Sequence, residues 1–83
     1  MSPDVRQALQ HSMRSIENGM PRAIQQLALS EQELASIQAR TDLSQTERNR
    51  AIREAKASVA TNKKTLHDAQ ATLLRLKTLL QGE

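Results

Sequence analysis

Apolar side chains recur at alternating intervals of three and four residues through both halves of the chain, with Ser30 and Asn62 as the polar exceptions. Each set of recurring positions is called a seam here. The seam of the first half comprises Leu9, Met13, Ile16, Met20, Ala23, Leu27, Ser30, Leu34 and Ile37. The seam of the second half comprises Ile52, Ala55, Val59, Asn62, Leu66, Ala69, Leu73, Leu76 and Leu80. Such spacing aligns side chains along one side of an α-helix, so it predicts two long coiled-coil helices.

Capping signals set the expected ends of these helices. Ser2 followed by Pro3 is typical of a helix start. The serine hydroxyl accepts a hydrogen bond from a backbone amide that has no partner in the first turn, and proline has no amide hydrogen that would need one. Ser44 and Glu47 have the spacing of a capping box, which starts a second helix. Gly82 is expected to end that helix in the left-handed conformation. The sequence thus predicts a single hairpin domain over residues 1–83, with helices at 3–41 and 45–82 and a turn at 42–44.

The two seams predict how the helices pair. Folding the chain antiparallel about the turn places the seams face to face, with position numbers that add up to 89 in every facing pair. Leu34 then faces Ala55, and Ala23 faces Leu66. A small residue repeatedly opposes a large one, as close packing at constant helix separation requires. The expected fold is an all-α, antiparallel two-helix coiled-coil hairpin.

Gly19 and Pro21 fall inside the first predicted helix. An interior proline removes one backbone hydrogen bond and costs about 3 kcal/mol. The seam keeps its phase across this segment, from Ile16 through Met20, which favours a continuous helix that is kinked there. The alternative is a break at Asn18-Gly19, which would give three helices.

The composition excludes several classes of fold and function. The chain has no cysteine and no aromatic residue, which removes disulfide frameworks, thiolate metal sites and aromatic platforms for single-stranded nucleic acid. Apolar runs stay well short of the roughly 18 residues that a membrane span needs. The amino terminus also lacks the basic and apolar segments of a secretory leader. We expect a cytoplasmic protein with no membrane partner.

Candidate catalytic and metal-binding groups are few and dispersed. The two histidines, His11 and His67, lie more than one helical turn apart in the antiparallel register. Glu31 and Glu33 are two residues apart and so point to different faces of a helix. The chain carries no Gly-rich phosphate loop and no His-Glu-x-x-His motif. The sequence therefore predicts no enzymatic activity, no metal and no cofactor.

A basic stretch is the strongest charge feature of a chain with a net charge of +3. Residues 48–64 contain six cations and one acid, Glu54, which gives this stretch a local charge of +5. One interpretation is a solvated surface, partly neutralised by Glu31 and Glu33 of the opposite helix. The other is an anion-contacting face near the turn. The cations are Arg48, Arg50, Arg53, Lys56, Lys63 and Lys64.

One flank of the second helix carries no charge. Two helices that touch along one seam bury little apolar area, and small uncharged side chains let a further helix approach closely. We therefore expect two hairpins to dimerise into a four-helix bundle or a partner helix to bind here. Val5 and Leu29 are further apolar residues outside the seam. The predicted interface comprises Ala51, Ser58, Thr65, Thr72 and Leu79, with Ile24 and Leu74.

Three classes of function remain for such a hairpin. We favour a non-enzymatic protein-binding module, a small adaptor, chaperone or inhibitor that acts through a helical face on a partner protein. The uncharged flank suits helix packing, whereas the cations form no continuous stripe. The alternatives are a basic helical-hairpin dimer that binds structured RNA or DNA, and a structural coiled-coil element that self-assembles.

Overall fold

Two long α-helices form the computed structural model, which describes residues 1–82. Helix α1 spans Pro3–Ala39 and helix α2 spans Gln45–Gln81, with 37 residues in each. The molecule measures 61 × 15 × 15 Å, so the two helices lie side by side along their whole length. Residues 1–82 contain no strand. The all-α helical hairpin predicted from the apolar repeat is confirmed.

Burial follows the two predicted seams. All nine seam residues of each helix are buried or half-buried. Elsewhere in residues 1–82 only Leu43, Arg48 and Ala51 lose a comparable share of their surface. Ser30 and Ala55 are the most enclosed, each with 7 % of its surface exposed. The hydroxyl of Ser30 donates to the carbonyl oxygen of Leu27 at 2.8 Å, which satisfies it inside the interface.

Both helix starts have the predicted caps. The Ser2 hydroxyl accepts from the amide of Val5 at 3.2 Å. At α2 the Ser44 hydroxyl accepts from the Glu47 amide at 3.2 Å, and the Glu47 carboxylate accepts from the Ser44 amide at 3.4 Å. The capping box read from the sequence is therefore present, and each helix starts at the predicted residue.

Both helix ends differ from the prediction. Helix α1 ends at Ala39 rather than at residue 41, because Arg40 takes an extended conformation with φ −73° and ψ 139°. Its guanidinium instead binds Asp42 across the turn, with Nε at 3.0 Å and Nη2 at 2.7 Å from the two carboxylate oxygens. Gly82 has φ −70°, so the expected left-handed conformation is wrong. Its amide continues the helical pattern by donating to the Thr78 carbonyl at 3.0 Å.

Helix α1 runs unbroken through Gly19 and Pro21. The three-helix alternative is therefore wrong. Pro21 is exposed, whereas its neighbours Met20 and Ala23 are half-buried at the interface with α2. The packed seam residues on both sides of the proline hold the helix together across the missing hydrogen bond.

Candidate protein-binding surfaces

Two flanks of opposite character border the seam of α2. The neutral flank consists of Ala51, Ser58, Thr65, Thr72 and Leu79. The basic flank consists of Lys56, Lys63, Gln70 and Lys77. Thr65 and Lys63 are two residues apart, which turns their side chains about 200° away from each other around the helix. The two flanks therefore open on opposite sides of the hairpin.

A shallow groove of about 250 Å³ follows the neutral flank between the helices. Gly19 lies at its edge, and no atom comes within 4 Å of the place where a Cβ would stand. The groove therefore has free space beside Gly19 of α1, and the α2 residue of the neutral flank that lines it is the small Thr65. The lining residues are Gly19, Arg22, Ala23, Gln26, Asn62 and Thr65.

The threonines of the neutral flank already have hydrogen-bond partners in their own helix. The Thr65 hydroxyl donates to the carbonyl of Thr61 at 3.0 Å, and that of Thr72 donates to the carbonyl of Asp68 at 2.9 Å. A buried hydroxyl without a partner costs about 1–3 kcal/mol, and here that cost is avoided. These two threonines can therefore be covered by another helix without leaving an unsatisfied donor, whereas the Ser58 hydroxyl of the same flank makes no such bond within residues 1–82.

The structure divides the predicted interface between the two sides. Ala51 is half-buried beside the turn, so it is less available than predicted, while the other four flank residues are exposed. Leu74 follows Gln70 by four residues and shares the basic side of α2. Ile24 lies about 60° from Leu27 and about 200° from Gln26, which places it on that side as well. Ile24 and Leu74 thus lie on the other side from the neutral flank, rather than beside it as predicted.

A second groove, of about 390 Å³, follows the basic flank. Its apolar part comes from Leu27 of α1 and Leu66 of α2, which face the seam. Charged and polar side chains of α2 form its edge. They are Lys63, Lys64, His67, Asp68 and Gln70.

The basic stretch is partly engaged inside the hairpin. The guanidinium of Arg48 donates to the backbone carbonyl of Gln38, one of the carbonyls at the end of α1 that lack a helical partner. Arg50 pairs with Glu54, with Nε and Oε1 3.5 Å apart. Arg48 therefore holds the turn together, which leaves fewer free cations for an anion than the sequence implied.

Glu31 and Glu33 form no ion pair with this stretch within residues 1–82. The neutralisation expected from them therefore acts only at longer range. Arg53, Lys56, Lys63 and Lys64 remain exposed.

Arg40 and Asp42 form the clearest electrostatic interaction of the turn. The hydrogen bonds from Arg40 lower the pKa of the Asp42 carboxyl below its ordinary value. The same bonds raise the pKa of Arg40. Both side chains are exposed, so the pair shapes the turn and contributes little to overall stability.

Neither a metal site, nor a membrane-spanning helix, nor a similar protein was found for the described chain. Within residues 1–82 no three His, Asp or Glu side chains gather where they could hold a metal ion. Neither helix of the described chain has an apolar segment long enough to cross a bilayer. No protein-family model, curated protein or solved structure matches this chain. The candidate functional surfaces rest on the two grooves beside the seam.

Proposed function

We propose that this chain is a non-enzymatic protein-binding module whose neutral flank pairs with a second copy in a four-helix bundle. The observation that carries the proposal is the internal hydrogen bonding of Thr65 and Thr72 on a flank without charge. A helix that packs against this flank meets mostly small side chains, and the two threonine hydroxyls there are already paired. Arg22 of α1 lies in the lining of the same groove. Such a module would act as an adaptor, chaperone or inhibitor, and its cytoplasmic location stays a prediction.

The exposed surface of the hairpin supports a further packing contact. Its accessible area is 6437 Å². A compact protein of 9.3 kDa exposes about 5,000 Å². The excess of roughly 1,400 Å² is larger than the area of about 800 Å² that each partner contributes to a standard interface. A second hairpin on the neutral flank would cover much of this excess.

The choice of a second copy follows from symmetry. A two-fold dimer places the same patch of both chains against itself, so like charges would oppose each other if the patch were charged. The neutral flank avoids this repulsion, whereas the basic flank would bring lysines together. Pairing through the neutral flank also leaves the basic flank outside, where it is free to bind another protein.

Analytical ultracentrifugation over a range of concentrations tests this assembly. We expect the wild-type chain to form a closed dimer. Thr72→Glu should weaken that dimer at least about tenfold, because it buries a charge in a close helix contact. Ala71→Glu is the matched control, since the neighbouring residue is exposed on the outer face of the same helix. It should leave the dimer intact.

Other results would contradict the proposal. A wild-type monomer that sediments like Thr72→Glu would show that the neutral flank is ordinary surface. Open-ended polymers would favour the structural coiled-coil alternative. Circular dichroism of each variant separates loss of the dimer from loss of the helices, because only unfolding abolishes the helical signal.

A further inference from the structure

The groove beside the basic flank combines an apolar floor with a cationic edge. Leu27 and Leu66 supply the floor, and Lys63 and Lys64 stand at the edge. Neither lysine takes part in an ion pair within residues 1–82. Asp68 lines the same groove near Lys64 and is the one acid there. The groove therefore presents apolar surface next to lysines that lack an acidic partner.

Apolar surface continues from the groove onto both helices. Ile24 is 53 % exposed and Leu74 is 67 % exposed, which makes Leu74 the most exposed of the large apolar residues of the described chain. Ile24 lies one turn before Leu27 on α1, and Leu74 lies one turn after Gln70 on α2. Together with the floor they form an apolar strip along the hairpin, which His67 and Gln70 interrupt before Leu74.

Cations also lie beside this strip, separated from one another mainly by uncharged residues. The basic side of α2 carries Arg53, Lys56, Lys63 and Lys77, and Asp68 is the one acid of α2 that lines the groove there. Residues 56 to 77 span about 32 Å of helix at 1.5 Å per residue. On α1 the same side carries Arg14, Glu17 and Glu31, so the excess positive charge lies along α2.

We propose that this groove binds an amphipathic helix of another protein whose apolar side is bordered by acidic residues. The apolar side chains of that helix would cover Leu27, Leu66 and the exposed Leu74, and its carboxylates would meet Lys56 and Lys63. This is the helix-in-groove mode of recognition, with affinity from apolar burial and orientation from charge. The proposal rests on the protein-binding function and names the chemistry of the partner, but it does not require the dimer.

A nucleic acid fits this surface less well. Phosphates would satisfy the lysines but would leave Ile24 and Leu74 uncovered, because a duplex backbone offers no apolar side chains. The apolar strip beside the cations therefore favours a protein helix. Binding of RNA is retained as an outcome of the test.

Fluorescence anisotropy with designed peptides tests the groove directly. The probe is a labelled 18-residue helical peptide with leucines at three- and four-residue spacing and glutamates beside them. Two control peptides carry lysines in place of the glutamates, or the same residues in scrambled order. We expect the acidic amphipathic peptide to bind at least about tenfold more tightly than either control, a difference of about 1.4 kcal/mol.

Matched variants locate the binding site. Lys63→Glu should weaken binding at least about tenfold, whereas Arg50→Glu, with the same change of charge on the outer face, should have little effect. Leu74→Ala should weaken binding severalfold, and Leu29→Ala, at an exposed leucine on the opposite side of the hairpin, should not. All four side chains are exposed, and circular dichroism checks that each variant keeps its helices.

Three results would overturn the proposal. The first is equal binding of the acidic and lysine peptides. The second is equal loss of binding in Lys63→Glu and Arg50→Glu, which would indicate nonspecific attraction. The third is salt-sensitive binding of a labelled RNA duplex that exceeds binding of the peptide and depends on Lys63. Because the dimer is measured separately with Thr72→Glu, failure of the groove proposal and failure of the assembly proposal are distinguishable.

Discussion

Asn62 on α2 donates a hydrogen bond to the backbone carbonyl of Gln26 on α1, with Nδ2 and the oxygen 3.3 Å apart. Gln26 precedes Leu27, the residue that the sequence register places opposite Asn62. The contact therefore confirms the predicted register at the middle of the hairpin. A single polar residue at a core position favours one alignment of two helices, because sliding either helix separates the donor from its acceptor.

Replacing Asn62 with leucine should make the hairpin more stable. Asn62 is half-buried, and its hydrogen bond is long and exposed to water. A partly buried leucine gains more from apolar contact than such a bond contributes, so the net gain should be about 1 kcal/mol. Urea denaturation of Asn62→Leu measures it. Thr61→Leu, which adds the same side chain at an exposed position, should show no such gain, and a destabilised Asn62→Leu would mean that the hydrogen bond dominates.

Gly19→Ala should stabilise the lone hairpin. Nothing lies within 4 Å of the added Cβ, and a glycine inside a helix costs about 1 kcal/mol relative to alanine. Thermal denaturation at a concentration where the chain is monomeric should therefore show a higher Tm. Ala28→Gly, at an exposed position of the same helix, should lower the Tm by a similar amount. A lower Tm for Gly19→Ala would show that α1 is distorted at this point.

Removal of the second helix cap should destabilise the hairpin. In Ser44→Ala the Glu47 amide loses its acceptor and the capping box is broken, at a cost of about 1 kcal/mol. Chemical denaturation should show a lower midpoint with an unchanged slope. Ser44→Asp replaces the hydroxyl acceptor with a carboxylate acceptor at the same position, so it should retain most of the stability. Equal loss in both variants would contradict a role for the hydroxyl as a cap.

Acid should weaken the turn through Asp42. The hydrogen bonds from Arg40 lower the pKa of Asp42 in the folded chain, so its contribution is present above the unfolded pKa of about 4. That contribution is lost as the pH falls through the lower, folded pKa. NMR titration should place the Asp42 midpoint below the ordinary aspartate value. Arg40→Gln should raise the midpoint toward that value, while the backbone hydrogen bond of Asp42 keeps part of the shift. An unshifted midpoint in the wild-type chain would mean that the pair does not persist in solution.

The grooves could be predicted only in part from the sequence. The neutral flank was visible as a seven-residue repeat of small residues, because the angular position of a residue within one helix follows from its number. The hydrogen bonds of the Thr65 and Thr72 hydroxyls could not be predicted from the sequence, because a threonine at an exposed helical position has several rotamers. The groove edged by Lys63 was missed because its floor needs Leu27 from the other helix. The pairing of Ile24 and Leu74 with that groove was missed for the same reason.

The sequence by itself determined the seams, the helix starts and the antiparallel register, because periodicity and caps are local features that act over a few residues. Only the tertiary structure decided where α1 ends, since that depends on Arg40 binding Asp42 across the turn and on Arg48 reaching back to Gln38. It also decided which side chains share a groove. Residues from two helices become neighbours only when the helices pack, and no pattern within either helix alone contains that information.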